Sequence, residues 1–309
     1  MFTISKNSMR VGVTTVSFSS NLELVSELRN IGAEVKVNPF GRRFNHDELV
    51  EFLADCDTAI IGLDKINVDL LRKCPQLRLI SKYGVGLDNI DFDACKEFNV
   101  NVKYPVGVNK RSVSEMTLAM ILGLARNIYS TSIDLKEGKW NKSGGFEISG
   151  KTIGIIGYGN IGKDLSVLLA PFNVNVLAND TSLTVFESKP EHVCIASKEQ
   201  IFKESDIISV HTPLNEETQD LINVSNISKL KDGVILINTA RGGIFNEDAL
   251  LQSLKANKIG GLGIDAYINE PPMSNELLSL KNVICTPHIG GNSREAVHAM
   301  GMAAIKNLF

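Results

Sequence analysis

Residues 151–162 read K-T-I-G-I-I-G-Y-G-N-I-G, and an acidic residue, Asp180, follows 18 positions after the last glycine. The apolar run 153–156 predicts a buried strand, and the glycines after it open a predicted helix over 161–170. A second apolar run, 175–178, predicts another strand that ends just before the acid. A strand, a glycine turn, a helix, a strand and an acid in this order are typical of dinucleotide-binding folds.

The glycine turn and the acid have separate physical roles. Gly157 permits the tight turn, Gly159 lets the backbone approach a pyrophosphate, and Gly162 lets the helix pack against the sheet. The N–H groups and partial positive charge of the helix N-terminus favour the phosphates. Asp180 can accept hydrogen bonds from both adenosine ribose hydroxyls and would repel a 2′-phosphate, and no Arg or Lys follows it within five residues. These features predict NAD rather than NADP. The residues expected along the adenosine and pyrophosphate are Gly157, Gly159, Asn160, Ile161, Gly162 and Asp180.

The composition argues against several other classes of protein. With 309 residues, 43% of them hydrophobic and 22% charged, the chain has the length and make-up of a globular protein of two domains. The formal net charge of −3 gives no electrostatic reason for nucleic-acid or membrane binding. No apolar stretch approaches the ~18 residues of a membrane span, and the N-terminus lacks the apolar core of a signal peptide. We therefore predict no nucleic-acid partner and no membrane association.

Cysteine and histidine are sparse and irregularly spaced. The five cysteines include no CxxC pair, so free thiols in a reducing compartment are the simpler interpretation. The five histidines show no HxxxH or HxH spacing, which argues against a metal site. The sequence thus predicts a cytoplasmic protein without a bound metal.

Apolar strands and helices alternate along the chain, which predicts parallel sheets with helices on both faces. Strands are predicted at 9–14, 33–37, 58–62, 77–81, 100–103, 153–156, 174–178, 206–210, 233–238, 259–264 and 282–285, and a strongly apolar helix at 113–127. The fold class is therefore α/β, with two doubly wound parallel-sheet domains: a Rossmann dinucleotide-binding domain and a flavodoxin-like substrate domain. We assign residues 1–105 to the substrate-binding domain, 106–287 to the NAD-binding Rossmann domain, and 288–309 to a C-terminal segment that returns to the substrate domain.

Chemistry needs a substrate anchor and a proton donor in addition to the cofactor. Open α/β sheets bind ligands at the carboxyl ends of their strands. Three segments that follow predicted strands carry suitable side chains: I-N-T-A-R-G-G with Arg241, G-I-D-A-Y-I-N-E-P-P with Asp265 and Glu270, and C-T-P-H-I-G-G with His288.

These motifs together resemble the D-isomer-specific 2-hydroxyacid dehydrogenase family. The resemblance runs from about residue 82 to residue 291 and includes K-Y-G-V-G-L-D-N-I-D, G-Y-G-N-I-G, V-H-T-P-L, N-T-A-R-G-G and P-H-I-G-G. Arginine, glutamate and histidine follow one another in the family's catalytic order, separated by 29 and then 18 residues. The resemblance implies reversible hydride transfer between NADH and a 2-oxo acid, giving a D-2-hydroxy acid (EC 1.1.1 class).

The same resemblance implies roles for individual residues. Arg241, Glu270 and His288 would be catalytic: the guanidinium holds the substrate carboxylate and 2-oxo oxygen, the imidazole gives a proton to the forming alkoxide, and the glutamate fixes the imidazole tautomer. Asp265 would approach the nicotinamide amide. The further cofactor contacts implied are Thr212, Pro213, Thr218, Thr239, Ala240, Arg241, Asp265, His288 and Gly291.

The glycine loop near residue 84 is the expected substrate side. Its backbone N–H groups can hold a carboxylate as an anion nest does, although an ordinary glycine turn is the alternative. We expect NAD on the second domain and the 2-oxo acid on the first, across a cleft. The predicted substrate-binding residues are Tyr83, Gly84, Val85, Gly86, Arg241 and His288.

Within the family, the motifs look most like those of D-3-phosphoglycerate dehydrogenase, an enzyme of serine biosynthesis. Lys82, Lys103, Lys110 and Arg111 could supply charge for a phosphate. The alternatives are another D-2-hydroxyacid dehydrogenase, such as a glyoxylate or hydroxypyruvate reductase, a reductase for an unusual donor such as phosphite, and a non-catalytic NAD-sensing binding protein of the same fold.

The resemblance also implies a homodimer, formed through the dinucleotide domain and the 113–127 helix. Because the sequence ends at Phe309 inside an apparent helix, we expect a short or truncated member without a regulatory domain for serine feedback.

Overall fold

The computed structural model describes residues 9–273 and 275–309, and this part of the chain forms two compact units. Unit 1 contains the residues up to Asn109 together with Gly291–Phe309, and unit 2 contains Lys110–Gly290. The predicted domain boundaries, after residues 105 and 287, fall four and three residues before these divisions. The first eight residues of the predicted first domain lie outside the described residues.

Unit 1 contains a parallel five-stranded sheet with the order β2-β1-β3-β4-β5, which is the order of flavodoxin-like doubly wound sheets. The strands are β1 (Arg10–Val13), β2 (Glu34–Val37), β3 (Thr58–Ile61), β4 (Leu79–Lys82) and β5 (Asn101–Lys103). The helices are α1 (Val16–Ser19), α2 (Leu22–Asn30), α3 (His46–Leu53), α4 (Val68–Lys73), α5 (Phe92–Glu97) and, at the end of the chain, α12 (Arg294–Lys306).

Local sequence explains the elements of unit 1. Asn45 and Glu48 form a capping box at the start of α3, in which each side chain accepts a backbone N–H of the other residue. The central strand β3, T-A-I-I, is buried at all four positions because helices cover both faces of a parallel sheet. The C-terminal helix α12 packs within this unit, where the Ser81 hydroxyl donates to the Ala304 carbonyl at 2.7 Å.

Unit 2 contains a parallel seven-stranded sheet with the order β12-β11-β10-β9-β6-β7-β8. The strands are β6 (Thr152–Ile156), β7 (Asn175–Asn179), β8 (Val193–Ile195), β9 (Ile207–Val210), β10 (Val234–Asn238), β11 (Ile259–Ile264) and β12 (Val283–Cys285). The helices are α6 (Lys110–Ala125), α7 (Ile128–Lys136), α8 (Asn160–Leu169), α9 (Lys198–Glu204), α10 (Val224–Ile227) and α11 (Glu247–Lys255). The predicted fold class, two doubly wound parallel-sheet units, is confirmed.

Two elements of unit 2 were missed by the predictions, and both lack a strong apolar pattern. Helix α7 has no buried residue and therefore no apolar stripe for a periodicity argument to find. Strand β8 is an edge strand of three residues, of which two are exposed. The apolar helix predicted at 113–127 is α6, which starts three residues earlier, at Lys110.

The strand order of unit 2 reverses at one point, and this reversal marks the expected ligand position. The chain runs from β6 outward to β7 and β8, and then crosses to β9 on the other side of β6. The carboxyl ends of β6 and β9 therefore flank the point where the strand order reverses. In open α/β sheets this is the crevice that takes the ligand.

Candidate functional site

The glycine turn lies at this crevice, between β6 and α8. Gly157 has a φ of +93°, and a Cβ added there would lie 2.6 Å from the carbonyl carbon of His211 at the end of β9. A Cβ at Gly162 would lie 2.3 Å from the Gly157 carbonyl oxygen, so α8 packs directly on the turn. Only glycine fits these two positions, one because of its conformation and the other because of its packing.

The N-terminus of α8 has no side-chain cap. Its N-cap residue is Gly159, which has no side chain to accept a helix N–H, and a Cβ added to it would meet no atom of the described residues within 4 Å. Uncapped N–H groups with open space in front of them suit an anionic group. The predicted contacts Asn160 and Ile161 are the first two residues of this helix.

Asp180 follows β7 and is held against the glycine turn. One carboxylate oxygen accepts the N–H of Tyr158 at 2.8 Å, and the other accepts the N–H of Ser182 at 2.9 Å. Each carboxylate oxygen has a further acceptor site, so the group can still take ribose hydroxyls. The backbone of the turn thus orients the predicted cofactor-selecting acid.

The segment after β9 carries polar atoms without protein partners. His211 Nε2 bonds the Ser209 hydroxyl at 2.9 Å, and burial lowers the pKa of His211 to about 3, so the ring is neutral at physiological pH. Although the residue as a whole is half-buried, its Nδ1 and the Thr212 hydroxyl are buried and unpartnered among the described residues. Such groups are usually satisfied, so these two mark a place for a polar ligand or water. By contrast, the Thr218 hydroxyl donates to the Pro213 carbonyl at 2.6 Å and closes its own loop.

The turn after β10 is shaped by a residue that the predictions did not include. The buried Asn238 side chain donates to the Arg241 carbonyl at 2.8 Å and accepts the Ala240 N–H at 3.0 Å. The Thr239 hydroxyl pairs with that of Thr117 on α6 at 3.0 Å. Arg241 is half-buried, and its Nη1 donates to the Ala240 carbonyl at 2.7 Å. The sequence signal for this role was the asparagine at the end of the predicted strand, because asparagine side chains commonly form hydrogen bonds with nearby backbone groups.

Glu270 and His288 come together although 18 residues separate them. Glu270 Oε1 lies 2.7 Å from His288 Nδ1 and also accepts the Tyr267 N–H at 3.3 Å. No hydrogen bond joins Nε2 of this imidazole to any of the described residues, and its side chain is 37% exposed. This geometry leaves the second ring nitrogen accessible for proton exchange with a bound molecule.

His288 has a left-handed backbone, with a φ of +53°. This conformation is uncommon for residues other than glycine and persists only where the surrounding structure enforces it. The His288 N–H donates to the Thr286 carbonyl at 3.0 Å, and the Ser112 hydroxyl of α6 donates to the Gly290 carbonyl at 2.6 Å. Neighbouring bonds on both sides therefore hold the imidazole-bearing loop.

Asp265 provides the centre of that support. It is 1% exposed, and its carboxylate accepts the Thr286 hydroxyl at 2.6 Å and the Ile289 and Gly290 N–H groups, each at 2.8 Å. The sequence suggested only a cofactor contact at this position. The structure shows a supporting role, because the acid ties the end of β11 to both sides of His288, and the cofactor contact stays a prediction.

The predicted substrate loop lies in unit 1, after β4. The Tyr83 N–H bonds the Ile61 carbonyl at 2.8 Å, and its buried ring packs edge-on against Phe18. Gly84 has a φ of +111°. Among the described residues, no acceptor bonds the N–H groups of Gly84, Val85 and Gly86. Three successive free N–H groups can bind an anion. Gly291, predicted to contact the cofactor, belongs to this unit.

The described residues contain no group of three or more His, Cys, Asp or Glu side chains that could hold a metal. The same part of the chain contains no helix that is long and apolar enough to cross a membrane.

Comparisons with known proteins agree with the geometry. Residues 118–290 match the model of the "D-isomer specific 2-hydroxyacid dehydrogenase, NAD binding domain". A hydroxypyruvate reductase of Thermotoga maritima is 38% identical over 85% of this chain and 87% of its own length. A D-3-phosphoglycerate dehydrogenase of Archaeoglobus fulgidus is 34% identical over 93% of this chain, which spans only about half (54%) of that protein. The crystal structure of the TT0316 protein of Thermus thermophilus superposes with a TM-score of 0.88 at 31% identity, covering 97% of this chain and 96% of that one.

Proposed function

Because the chain belongs to the D-isomer-specific 2-hydroxyacid dehydrogenase family and is an NAD-dependent oxidoreductase, we propose that it reduces hydroxypyruvate to D-glycerate. The observation that carries the reaction type is the Glu270–His288 pair, in which the imidazole Nε2 has no hydrogen-bond partner among the described residues and is available to a substrate oxygen. The choice of hydroxypyruvate rests on the relative from Thermotoga maritima, which is similar along nearly its whole length.

The proposed reaction assigns one task to each side chain. The chemistry that NADH would supply when bound is a hydride for the 2-oxo carbon. His288 Nε2 donates a proton to the carbonyl oxygen as it becomes an alkoxide, and Glu270 holds the ring by Nδ1 and stabilises its charged form. Arg241 supplies a planar fork of donors for the carboxylate and the 2-oxo oxygen. In D-glycerate oxidation the same imidazole accepts the proton.

The glycine turn, the α8 N-terminus and Asp180 fit NAD. The uncapped helix end suits the pyrophosphate, and the oriented carboxylate suits an unphosphorylated ribose. We propose that the unpartnered His211 Nδ1 and Thr212 hydroxyl lie along the same cofactor. In unit 1, the N–H groups of residues 84–86, which no described residue accepts, would take the substrate carboxylate.

The cations that the sequence offers for a phosphate are partly occupied. Lys82 is 1% exposed, and its ammonium bonds the Gly62 carbonyl and the Asn89 side chain. Arg111 pairs with Asp164 at 3.0 Å. A phosphate would have to compete with these protein partners, which favours the unphosphorylated acid.

A second candidate substrate is 3-phosphohydroxypyruvate, which would assign the chain to serine biosynthesis. It is favoured by D-3-phosphoglycerate dehydrogenases that are 34% and 40% identical to this chain. The two candidates are separated by NADH oxidation with hydroxypyruvate, 3-phosphohydroxypyruvate, glyoxylate and pyruvate. We expect the highest kcat/KM with hydroxypyruvate. A higher value with the phosphorylated acid would select the second candidate, and no turnover with any acid would refute the proposed reaction.

We also propose a homodimer formed through unit 2. A surface cavity of about 430 Å³ in this unit is lined by three exposed apolar residues, Ile128, Leu135 and Trp140. The Trp140 residue is 81% exposed. Clustered exposed apolar side chains mark interaction surfaces. Light scattering should give twice the chain mass, and Trp140→Arg should shift the protein toward monomer. A wild-type monomer would contradict the dimer.

The five free thiols are consistent with the cytoplasm as the compartment of this protein.

A further inference from the structure

Lys82 ends β4, directly before the loop whose free N–H groups are proposed to bind the substrate carboxylate. In the sequence, this lysine was one of the cations that could supply charge for a phosphate. Its side chain instead is fully buried and turned toward protein atoms: the ammonium donates to the Gly62 carbonyl and, at 2.7 Å, to Asn89 Oδ1. An ammonium in this position is retained only when hydrogen-bonding partners replace its water.

Asn89 stands at the other end of the same loop and bonds the same carbonyl. Its Nδ2 donates to the Gly62 carbonyl at 3.2 Å and to the Asp64 carbonyl at 2.5 Å. Residues 82 and 89 are therefore joined both to each other and to one acceptor at the carboxyl end of β3. The segment 83–88 is a loop whose two ends are fastened at a single point.

Gly62, whose carbonyl is this shared acceptor, is itself held by Asp64, which in turn bonds the residue that follows β1. The Asp64 carboxylate accepts the Gly62 N–H at 3.3 Å and the hydroxyl of Thr14, the residue after β1. The clamp formed by Lys82, Asn89, Gly62 and Asp64 thus links the ends of β1, β3 and β4. Inside it lie Gly84, Val85 and Gly86, whose N–H groups no described residue accepts.

We propose that Lys82 is a positioning residue: with Asn89 it holds the loop so that the N–H groups of residues 84–86 converge on the substrate carboxylate. This inference rests on the proposed function, and it assigns Lys82 to the part common to all 2-oxo acids rather than to a phosphate. Anchoring the ends of a binding loop lowers the entropy that binding must remove, so it acts on substrate affinity.

The test compares Lys82→Met, which keeps side-chain length and removes the ammonium, with Lys36→Met. Lys36 lies on β2 of the same sheet, and its ammonium likewise bonds a carbonyl, that of Phe52 at 2.8 Å, and the Asp55 carboxylate at 2.7 Å. Lys82→Met should raise KM about tenfold or more for hydroxypyruvate, glyoxylate and 3-phosphohydroxypyruvate alike, with the NADH Kd unchanged. Lys36→Met should leave every KM unchanged. Lys82→Arg, which keeps the charge and its donors, should restore part of the lost affinity.

Asn89→Asp provides a second variant at a half-buried position, which keeps the test valid if Lys82→Met does not fold. It removes both Nδ2 donations and should also raise KM for all three acids. An effect limited to the phosphorylated acid would overturn the inference and make Lys82 a phosphate ligand. Lower thermal stability with unchanged KM in both variants would overturn it as well. A wild-type chain that turns over none of the acids would refute the proposed function, whereas wild-type turnover with an unchanged KM in the variants would refute this inference alone.

Discussion

Asp265→Asn tests whether the loop that carries His288 is held in place by one buried carboxylate. In the wild type, Oδ1 accepts the Thr286 hydroxyl and the Ile289 N–H, and Oδ2 accepts the Gly290 N–H. An asparagine whose oxygen occupies the Oδ1 position keeps the first two bonds in neutral form. Its Nδ2 then faces the Gly290 N–H, so two donors meet and the amide loses its acceptor.

The expected magnitude follows from this count. The Gly290 N–H is buried, and leaving such a donor unsatisfied costs about 1–3 kcal/mol. Loss of charge assistance in the other two bonds adds about 1 kcal/mol, which gives about 2–4 kcal/mol in all. For a unit the size of Lys110–Gly290, each kcal/mol corresponds to a change in Tm of about 2–4 °C, so we expect Tm to fall by about 4–16 °C.

The kinetic consequence depends on His288. If this imidazole is the proton donor, a looser loop should lower kcat for NADH oxidation by about 10–100-fold through misplacement of Nε2. The NADH Kd, measured by fluorescence, should change by less than about threefold, since the glycine turn and Asp180 remain intact. Calorimetry gives Tm and steady-state kinetics gives kcat, both on the same preparation.

Thr286→Val is the matched control because it removes only the hydroxyl bond to Oδ1 and leaves both N–H bonds in place. It should lower Tm by less than Asp265→Asn and keep kcat near the wild-type value. An Asp265→Asn protein with wild-type Tm and kcat would refute the reasoning that the carboxylate holds the loop. A loss of NADH affinity as large as the loss of kcat would show instead that Asp265 acts on the cofactor.

Three further predictions concern single residues. His288→Asn should lower kcat by at least ~100-fold and leave NADH binding nearly intact, and an equal loss of NADH affinity would mean that the residue is misassigned. Asp180→Ala should weaken NADH binding and narrow the preference for NADH over NADPH in oxidation assays, whereas an unchanged preference would point to another selecting group. Burial lowers the pKa of His211 to about 3, and an unfolded imidazole titrates near 6.5, so the unfolded chain binds this proton first as the pH falls. As the pH falls from about 6 to about 3, this group should therefore lower the free energy of unfolding by about 1.4 kcal/mol per pH unit. In denaturant titrations, His211→Asn should show a weaker dependence of this free energy on pH. Equal pH dependence in the two proteins would contradict the depressed pKa of His211.

The sequence by itself determined the dinucleotide-binding core. The structure places Gly157, Gly162 and Asp180 in the predicted strand–turn–helix–strand unit, because the requirements on them are local: a positive φ, a close approach between backbone segments, and a fixed spacing along the chain. Their contacts with the cofactor stay a prediction. The fold class followed from the same kind of signal, since buried parallel strands form short apolar runs. Edge strand β8 and the exposed helix α7 lack such runs and were missed.

The tertiary structure alone decided what the polar side chains between these elements do. Asp265 supports the loop of His288 because β11 and β12 are neighbours, and Lys82 faces protein rather than solvent because β3 and β4 end side by side. Neither fact can be read from the residue type, since an acid or a lysine after a strand serves equally well as a ligand contact. Hydrogen bonds between strand ends depend on which strands are adjacent, and adjacency is a property of the folded sheet rather than of any segment in it.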